Sequence, residues 1–297
     1  FATQIATTSA SAWTALGRPG TTAPIRFNSA NLLALGGNCD KFPDMYRYAD
    51  EVTGVTSRRY GCSYDYAGRA MLQQPLDVLN IVSRVNFQVA ENHLAFLEVI
   101  GSQTKARKEY EAMQITSSTL SDRYSYPAGG PYYQNLNVLY PNLTAETGMT
   151  FDAAKPIGIR WRCMGCGPRI VDTTSSNHRV VLGMEGLLGK FDYKVGALAG
   201  RAKSSAVLTS GYFYDDKLDA ALDTGLVNPW LLLGESQTAA GLAQLDAARA
   251  DGLERLRGSA SIYQIDGTIS GQLATLPAGP LSFAVGLDRR QEGYKLE

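Results

Sequence analysis

From Leu79 onward the chain alternates. Ile81, Val85, Phe87 and Val89 fall on one parity, and Asn80, Arg84, Asn86 and Gln88 on the other. A period of two is that of a strand with one apolar and one polar face. Ala90-Glu91-Asn92 is a short turn. A return arm runs from His93 towards Met113, with Ala95, Leu97 and Val99 against Glu98, Ser102 and Thr104; Phe96 and Ile100 sit on the polar parity and weaken the pattern. Alternation resumes with Val180, Leu182, Met184 and Leu188 against Arg179 and Glu185. It turns at Gly189-Lys190 and returns through Phe191, Tyr193, Val195 and Ala197 against Asp192 and Lys194, in an arm that reaches towards Tyr214. A third pair sets Ile265, Ile269 and Leu273 against Asp266, Thr268, Ser270 and Gln272, turns at Leu276 to Pro280, and continues with Leu281, Phe283, Val285 and Leu287 against Ser282, Ala284, Gly286 and Asp288. Three long antiparallel hairpins are predicted, and the fold class is all-β.

Alternation alone does not separate a soluble sandwich from a membrane barrel. The connections do. Each hairpin closes with a short turn, whereas residues 114–156 and 215–258 form long connections at the other end. Short turns on one side and long loops on the other describe an outer-membrane β-barrel, and a soluble domain rarely needs loops of this length. The second long connection predicts short helices: Asp216 to Leu222 with Gly225 as stop, and Ser236 to Leu256 with Leu242, Leu245, Leu253 and Leu256 at near-helical spacing. Ile157 to Cys163 also reads as a strand. A crossing there would put the next strand on the wrong side, so it is expected outside the membrane, folded back on Arg169 to Thr173 with Cys163 and Cys166 at the tip. Residues 1–78 are polar, carry no sustained period and are assigned to an extracellular loop region; 79–297 are assigned to barrel strands and extracellular loops. Six crossings cannot close a barrel that needs at least about eight strands, so the chain is expected to be a transmembrane barrel segment, either part of something larger, which is favoured, or a subunit of an oligomeric barrel.

Charge follows the same faces. An Arg or Lys on the lipid side at mid-bilayer costs about 2–4 kcal/mol. Next to each short turn the apolar parity is free of charge; on the last strand the first charge there is Arg289. The polar parity carries Arg84, Glu98, Arg179, Glu185, Lys194 and Asp266, a mixture suited to a hydrated or plugged lumen. Over all 297 residues, 28 Lys+Arg balance 28 Asp+Glu. That balance excludes nucleic-acid binding by a basic face. No apolar run is long enough for a transmembrane helix.

Candidate chemistry is sparse. Cys39, Cys62, Cys163 and Cys166 lie in loop-like settings as two sequence-local pairs. Cys163-Met-Gly-Cys166 could be a redox dithiol or half a zinc site. Neither His93 nor His178 has ligand spacing to a partner, and Gly165 and Gly167-Pro168 oppose the helix a thioredoxin-type motif needs. Structural disulfides are the favoured expectation for all four. Asp215, Asp216 and Asp219 read as a helix start before they read as a cation site. No nucleophile, P-loop or zinc-protease motif is present, so no enzyme, cofactor or metal site is expected. Tyr124, Tyr126, Tyr132, Tyr133 and Tyr140 share one long connection. Their flat rings with hydroxyl handles are ligand-contact candidates, or else they pack the loop itself.

A family resemblance accompanies these features. Asp219 to Trp230, which ends in Asn228-Pro229-Trp230, resembles a loop segment of TonB-dependent outer-membrane receptors. Leu276 to Glu292 is similar to their periplasmic turn and following strand, and Val180 to Tyr193 to another hairpin. The resemblance covers about 79–297. It implies a barrel of about 22 strands with an N-terminal plug, located in the outer membrane of a Gram-negative cell. It further implies TonB as partner and import of a bulky nutrient such as a siderophore, cobalamin, glycan or peptide. No plug, TonB-contacting box or closing strand is recognisable in these residues. The alternative is a non-enzymatic outer-membrane or cell-surface β protein with a binding or scaffolding role in a larger surface assembly.

Overall fold

The structure, a computed structural model, describes residues 2–5, 30–31, 45–49, 60–69, 71–116, 124–135, 138, 152–231 and 234–297. Four short strands come first: β1 (Ala2–Ile5), β2 (Ala30–Asn31), β3 (Met45–Ala49) and β4 (Tyr60–Tyr64). The first hairpin is β5 (Leu76–Ala90) and β6 (His93–Ala112). Three short strands follow, β7 (Gln114–Thr116), β8 (Ser125–Tyr126) and β9 (Ile157–Arg162). The second hairpin is β10 (Pro168–Leu188) and β11 (Phe191–Ser210). Helices α1 (Asp215–Asp223) and α2 (Ala239–Ala248) precede the third hairpin, β12 (Glu254–Leu276) and β13 (Gly279–Leu296).

The three hairpins form one six-stranded sheet in the order β13-β12-β11-β10-β6-β5. β5 with β6, β11 with β12 and β12 with β13 pair antiparallel, and the sheet is open, with β5 and β13 at its edges. The turns fall where the alternation breaks. Gly189 takes the left-handed conformation (φ 64°) that a two-residue hairpin turn needs at its first position.

The chain divides into two compact units. One comprises 73–108, 171–208 and 253–297, that is, most of the long strands. Here β5 is exposed along its whole length. The other comprises 1–72, 109–170 and 209–252. Its centre is an apolar cluster that includes Ile115, Tyr126, Ile159, Trp161, Phe213, Leu218, Leu222, Trp230 and Leu245. α1 contributes Leu218, Ala221 and Leu222 from one face. It stops at Gly225, whose φ of 69° ends a helix without side-chain cost. Thr238 caps α2 by accepting from the Gly241 N–H at 3.1 Å.

Three expectations are corrected. The segment Ile157 to Cys163 is a strand, but it does not fold back on Arg169 to Thr173. β9 lies between β1 and β7, with β8 also pairing to it, and Arg169–Thr173 belongs to the first residues of β10 in the other sheet. A short 3-10 turn, Met164–Cys166, and Gly167 (φ 81°) redirect the chain between them. The second helix ends at Ala248 and does not reach Leu256. Arg249 leaves helical geometry to bridge Phe213, Gly252 (φ 83°) makes the turn, and Leu256 lies in β12. β11 ends at Ser210, short of Tyr214.

Candidate functional site

Register sorts the side chains of the long sheet onto two faces. Between β11, β12 and β13, directly opposed residues share a face. Counting from the short turn, the rows of one face are Phe191, Gly271 and Phe283; then Tyr193, Ile269 and Val285; then Val195, Gly267 and Leu287. The first hairpin repeats the pattern with Phe87 opposite Ala95, Val85 opposite Leu97, and Ser83 opposite Val99. This face is bare: Phe87 is 67%, Val285 62% and Leu287 80% exposed. Aromatic groups gather near the turns. Phe191 and Phe283 meet edge to face at 5.2 Å, and His93 Nδ1 lies 2.8 Å from the Tyr193 hydroxyl.

The opposite face is ionic. Glu98 accepts from Arg179 at 2.6 Å and lies 3.8 Å from Arg84, its cross-strand neighbour. Lys194 meets Glu185 at 3.6 Å. Phe96, the residue that broke the alternation, is 7% exposed on this face. Its ring carries Arg84 at 4.6 Å and Lys194 at 5.8 Å. Further from the turns the same face holds an open trough of about 590 Å³, lined by small and hydroxyl-bearing side chains such as Ser102, Thr104, Ser175 and Ser204, with Tyr294 at one side. Ser175 and Ser204 are hydrogen-bonded across it at 2.8 Å.

The tyrosines belong to the other unit. Tyr126 is fully buried; its hydroxyl donates to the Gly225 carbonyl at 2.7 Å and accepts from the Tyr132 N–H at 3.0 Å. Burial pushes its phenol up from the ordinary tyrosine value, and the Tyr132 N–H offsets part of that. Tyr126 also meets Trp230 edge to face at 4.8 Å. Tyr124 is held by α1: Asp219 accepts from its N–H at 2.7 Å, and Asp215 from its hydroxyl at 2.9 Å. Two of the three aspartates singled out at the helix start therefore act as anchors for a loop tyrosine. Tyr133 donates to the Lys155 carbonyl at 2.8 Å, and burial followed by the nearby Asp152 charge raises its phenol. Tyr132 and Tyr133 are partly exposed at the edge of the cluster. Tyr140 lies outside the described residues.

Asn228-Pro229-Trp230 is a turn that aims an indole inward. Asn228 Oδ1 accepts from the Trp230 N–H at 2.9 Å, and Gln237 clamps the Asn228 backbone through both its N–H and its carbonyl. A side-chain–backbone turn of this kind explains the Asn without a ligand.

Cys163 and Cys166 are joined in a disulfide, and both are buried beside Trp161 and Phe213 in the apolar cluster. Cys39 and the side chain of Cys62 lie outside the described residues. Sequence reading missed a cation pair nearby. Arg162 is 6% exposed, donates to the Ala112 carbonyl at 2.7 Å and lies 3.8 Å from Glu111, which also binds Arg169 at 2.6 Å. Nothing in the local strand pattern marked Arg162 as an arginine that would be buried. Among the described residues no three His, Cys, Asp or Glu side chains gather to hold a metal.

Comparisons with known protein families, with curated proteins and with solved structures find no match.

Proposed function

We propose that the long sheet is part of the wall of an outer-membrane β-barrel, in a receptor that imports a bulky nutrient by TonB-coupled transport. The observation that carries the membrane reading is the sorting of faces. Seven apolar or aromatic side chains occupy the three rows nearest the turn on β11–β13 without a single charge, while the reverse face carries the paired ions. In lipid that arrangement keeps charge off the apolar face in the rows nearest the turn, where it would cost most. Tyr193 and His93 stand at the turn end of the apolar face, where amphipathic rings suit a membrane boundary. The strands, up to 23 residues long, exceed the 9–11 that a crossing needs, so they would project beyond the bilayer. Transport and TonB rest on the resemblance of Asp219–Trp230, Val180–Tyr193 and Leu276–Glu292 alone. The partly exposed Tyr132 and Tyr133 and the hydroxyl-lined trough are the surfaces a nutrient could meet in their respective units.

A second reading is a β-barrel that presents a surface assembly; the buried core of the loop unit favours it, because such a core offers a rigid platform. The test has two stages. Full chain refolded into phosphatidylcholine vesicles should float with them and resist an alkaline wash; a chain that stays soluble and monodisperse without detergent overturns the barrel. Uptake of labelled siderophore, cobalamin, oligosaccharide or peptide by cells carrying the full gene, with and without TonB, then separates transport from scaffolding.

A further inference from the structure

Above the apolar rows, the same face of β11–β13 changes character in one sign only. The next rows are Ala197, Ile265 and Arg289; Ala199, Tyr263 and Gln291; Arg201, Ser261 and Gly293; Lys203, Ser259 and Lys295. Four cations stand in these rows and no acid. The acids of the same stretch, Asp192, Asp266, Asp288 and Glu292, all fall on the intervening rows of the reverse face. Arg290, one residue from Arg289 but on the reverse face, is paired with Glu292 at 3.2 Å. Arg201, Lys203 and Arg289 meet no acid among the described residues; Lys295 meets Glu297 at the end of β13. Each of the four is exposed. With about 6.7 Å between alternate residues and about 4.8 Å between strands, they cover a patch of roughly 20 by 10 Å. Tyr263, 60% exposed, stands at its lower rim.

We propose that this patch binds the phosphate groups of membrane lipids, with Arg201, Lys203, Arg289 and Lys295 as the binding side chains. The proposal rests on the membrane reading above. Charge complementarity names the occupant: a cationic cluster whose one acid, Glu297, sits at its far end, placed at the edge of an apolar band, matches a ligand with anionic head and apolar tail. Arginine takes phosphate oxygens through two parallel N–H bonds, and lysine adds a point charge. The acyl chains of the same lipid would lie along Leu287 and Val285. A free phosphate would gain only the first half of these contacts.

The test uses full chain reconstituted in phosphatidylcholine vesicles that contain about 20 mol % phosphatidic acid, then extracted in mild non-ionic detergent. Phosphatidic acid retained per protein is measured by mass spectrometry. Each basic residue near an anionic surface is worth about fivefold, so the ratio of phosphatidic acid to phosphatidylcholine retained should exceed that of the bulk lipid by on the order of tenfold. It should vanish in R201Q/K203Q/R289Q/K295Q and persist in R290Q. Inorganic phosphate at matched concentration should not strip the lipid. Equal retention by the quadruple variant, or stripping by phosphate, would overturn the proposal and leave the barrel standing. Failure of the chain to enter phosphatidylcholine vesicles at all would overturn both.

Discussion

The ring of Phe96 rests on the bare backbone of Gly183: a Cβ at Gly183 would lie 2.3 Å from the nearest ring carbon. A large apolar ring is thus accommodated on the ionic face by a neighbour with no side chain, and is roofed by Arg84 and Lys194. Gly183→Ala should destabilise the sheet by about 1–3 kcal/mol, the usual cost of overpacking. Phe96→Ala in the same chain should recover much of that loss, because the two positions touch and their effects do not add. Urea unfolding of the four members of the cycle measures the coupling.

Tyr126→Phe removes the hydroxyl shared by the Gly225 carbonyl and the Tyr132 N–H. Both groups would be left buried without a partner, at about 1–3 kcal/mol. The same hydroxyl gives a pH signature. Burial raises its folded pKa above 10.0. Its stabilising contribution is therefore complete below the unfolded value and is lost as pH rises through the folded one. Melting curves followed upward from pH ~9 should fall more steeply for the native chain than for Tyr126→Phe.

Asp223 is raised from 3.8, first by desolvation and then by the charge of Asp219 one helical turn away. An acid whose folded pKa is raised helps the fold while protonated, and that help is lost as pH rises through the folded pKa. Asp223→Asn should therefore be stabilising at pH ~7 and neutral at pH ~3. The side chain is exposed, so the gain should stay within about 0.5 kcal/mol. Asp219→Asn is a different case, since Asp219 holds the Tyr124 N–H; losing a charged hydrogen bond there should cost about 1.5–3 kcal/mol. Thermal melts of the two variants across pH separate the effects.

Closing a loop as short as Cys163–Cys166 restricts the unfolded chain by roughly 2 kcal/mol. Cys163→Ser with Cys166→Ser should lose about that much, and more if the new hydroxyls find no partner in the buried cluster. Hydrogen exchange should report the loss at Ile159 and Trp161 before it reaches Val285 or Leu97, because only the first pair belongs to the unit that holds the disulfide.

The long hairpins were legible because their signal is local: parity along the chain and a turn at each break. Turn positions at Asn92, Gly189 and Ala278 follow from residues within two or three places. What sequence order could not supply was partnership at a distance. β9 carries a clear strand pattern, yet its neighbours are β1, β7 and β8, one of them more than 150 residues away. Leu253 and Leu256 continue the helical spacing of Leu242 and Leu245, but Gly252 turns the chain, the Leu253 carbonyl accepts from the Leu208 N–H, and Leu256 pairs with Ala206 on β11. The tyrosine cluster was visible as composition; that Tyr126 would be central and Tyr133 peripheral depends on α1 packing over it. The cations at Arg201, Lys203 and Lys295 were legible in principle, by carrying the parity of Val195 and Leu287 six to eight residues further along their strands.

The membrane reading makes a paired demand at adjacent residues. Val285 projects from the apolar face beside Ile269, and Ala284 from the ionic face beside Ser270, with Asp192 one strand further on. Val285→Arg would place a guanidinium among hydrocarbon groups near the turn, where it should cost about 2–4 kcal/mol if lipid covers that face at depth. Ala284→Arg would find water and an acid, and should change stability by less than about 1 kcal/mol. The contrast belongs to the bilayer. In a zwitterionic detergent above its micelle concentration the first penalty should shrink, because a micelle deforms around a charge. Reversible urea unfolding in thin phosphatidylcholine vesicles, run on both variants, measures the difference. Equal effects at the two positions in vesicles would mean that lipid covers neither face, since neighbouring residues on one strand share every other feature of their setting.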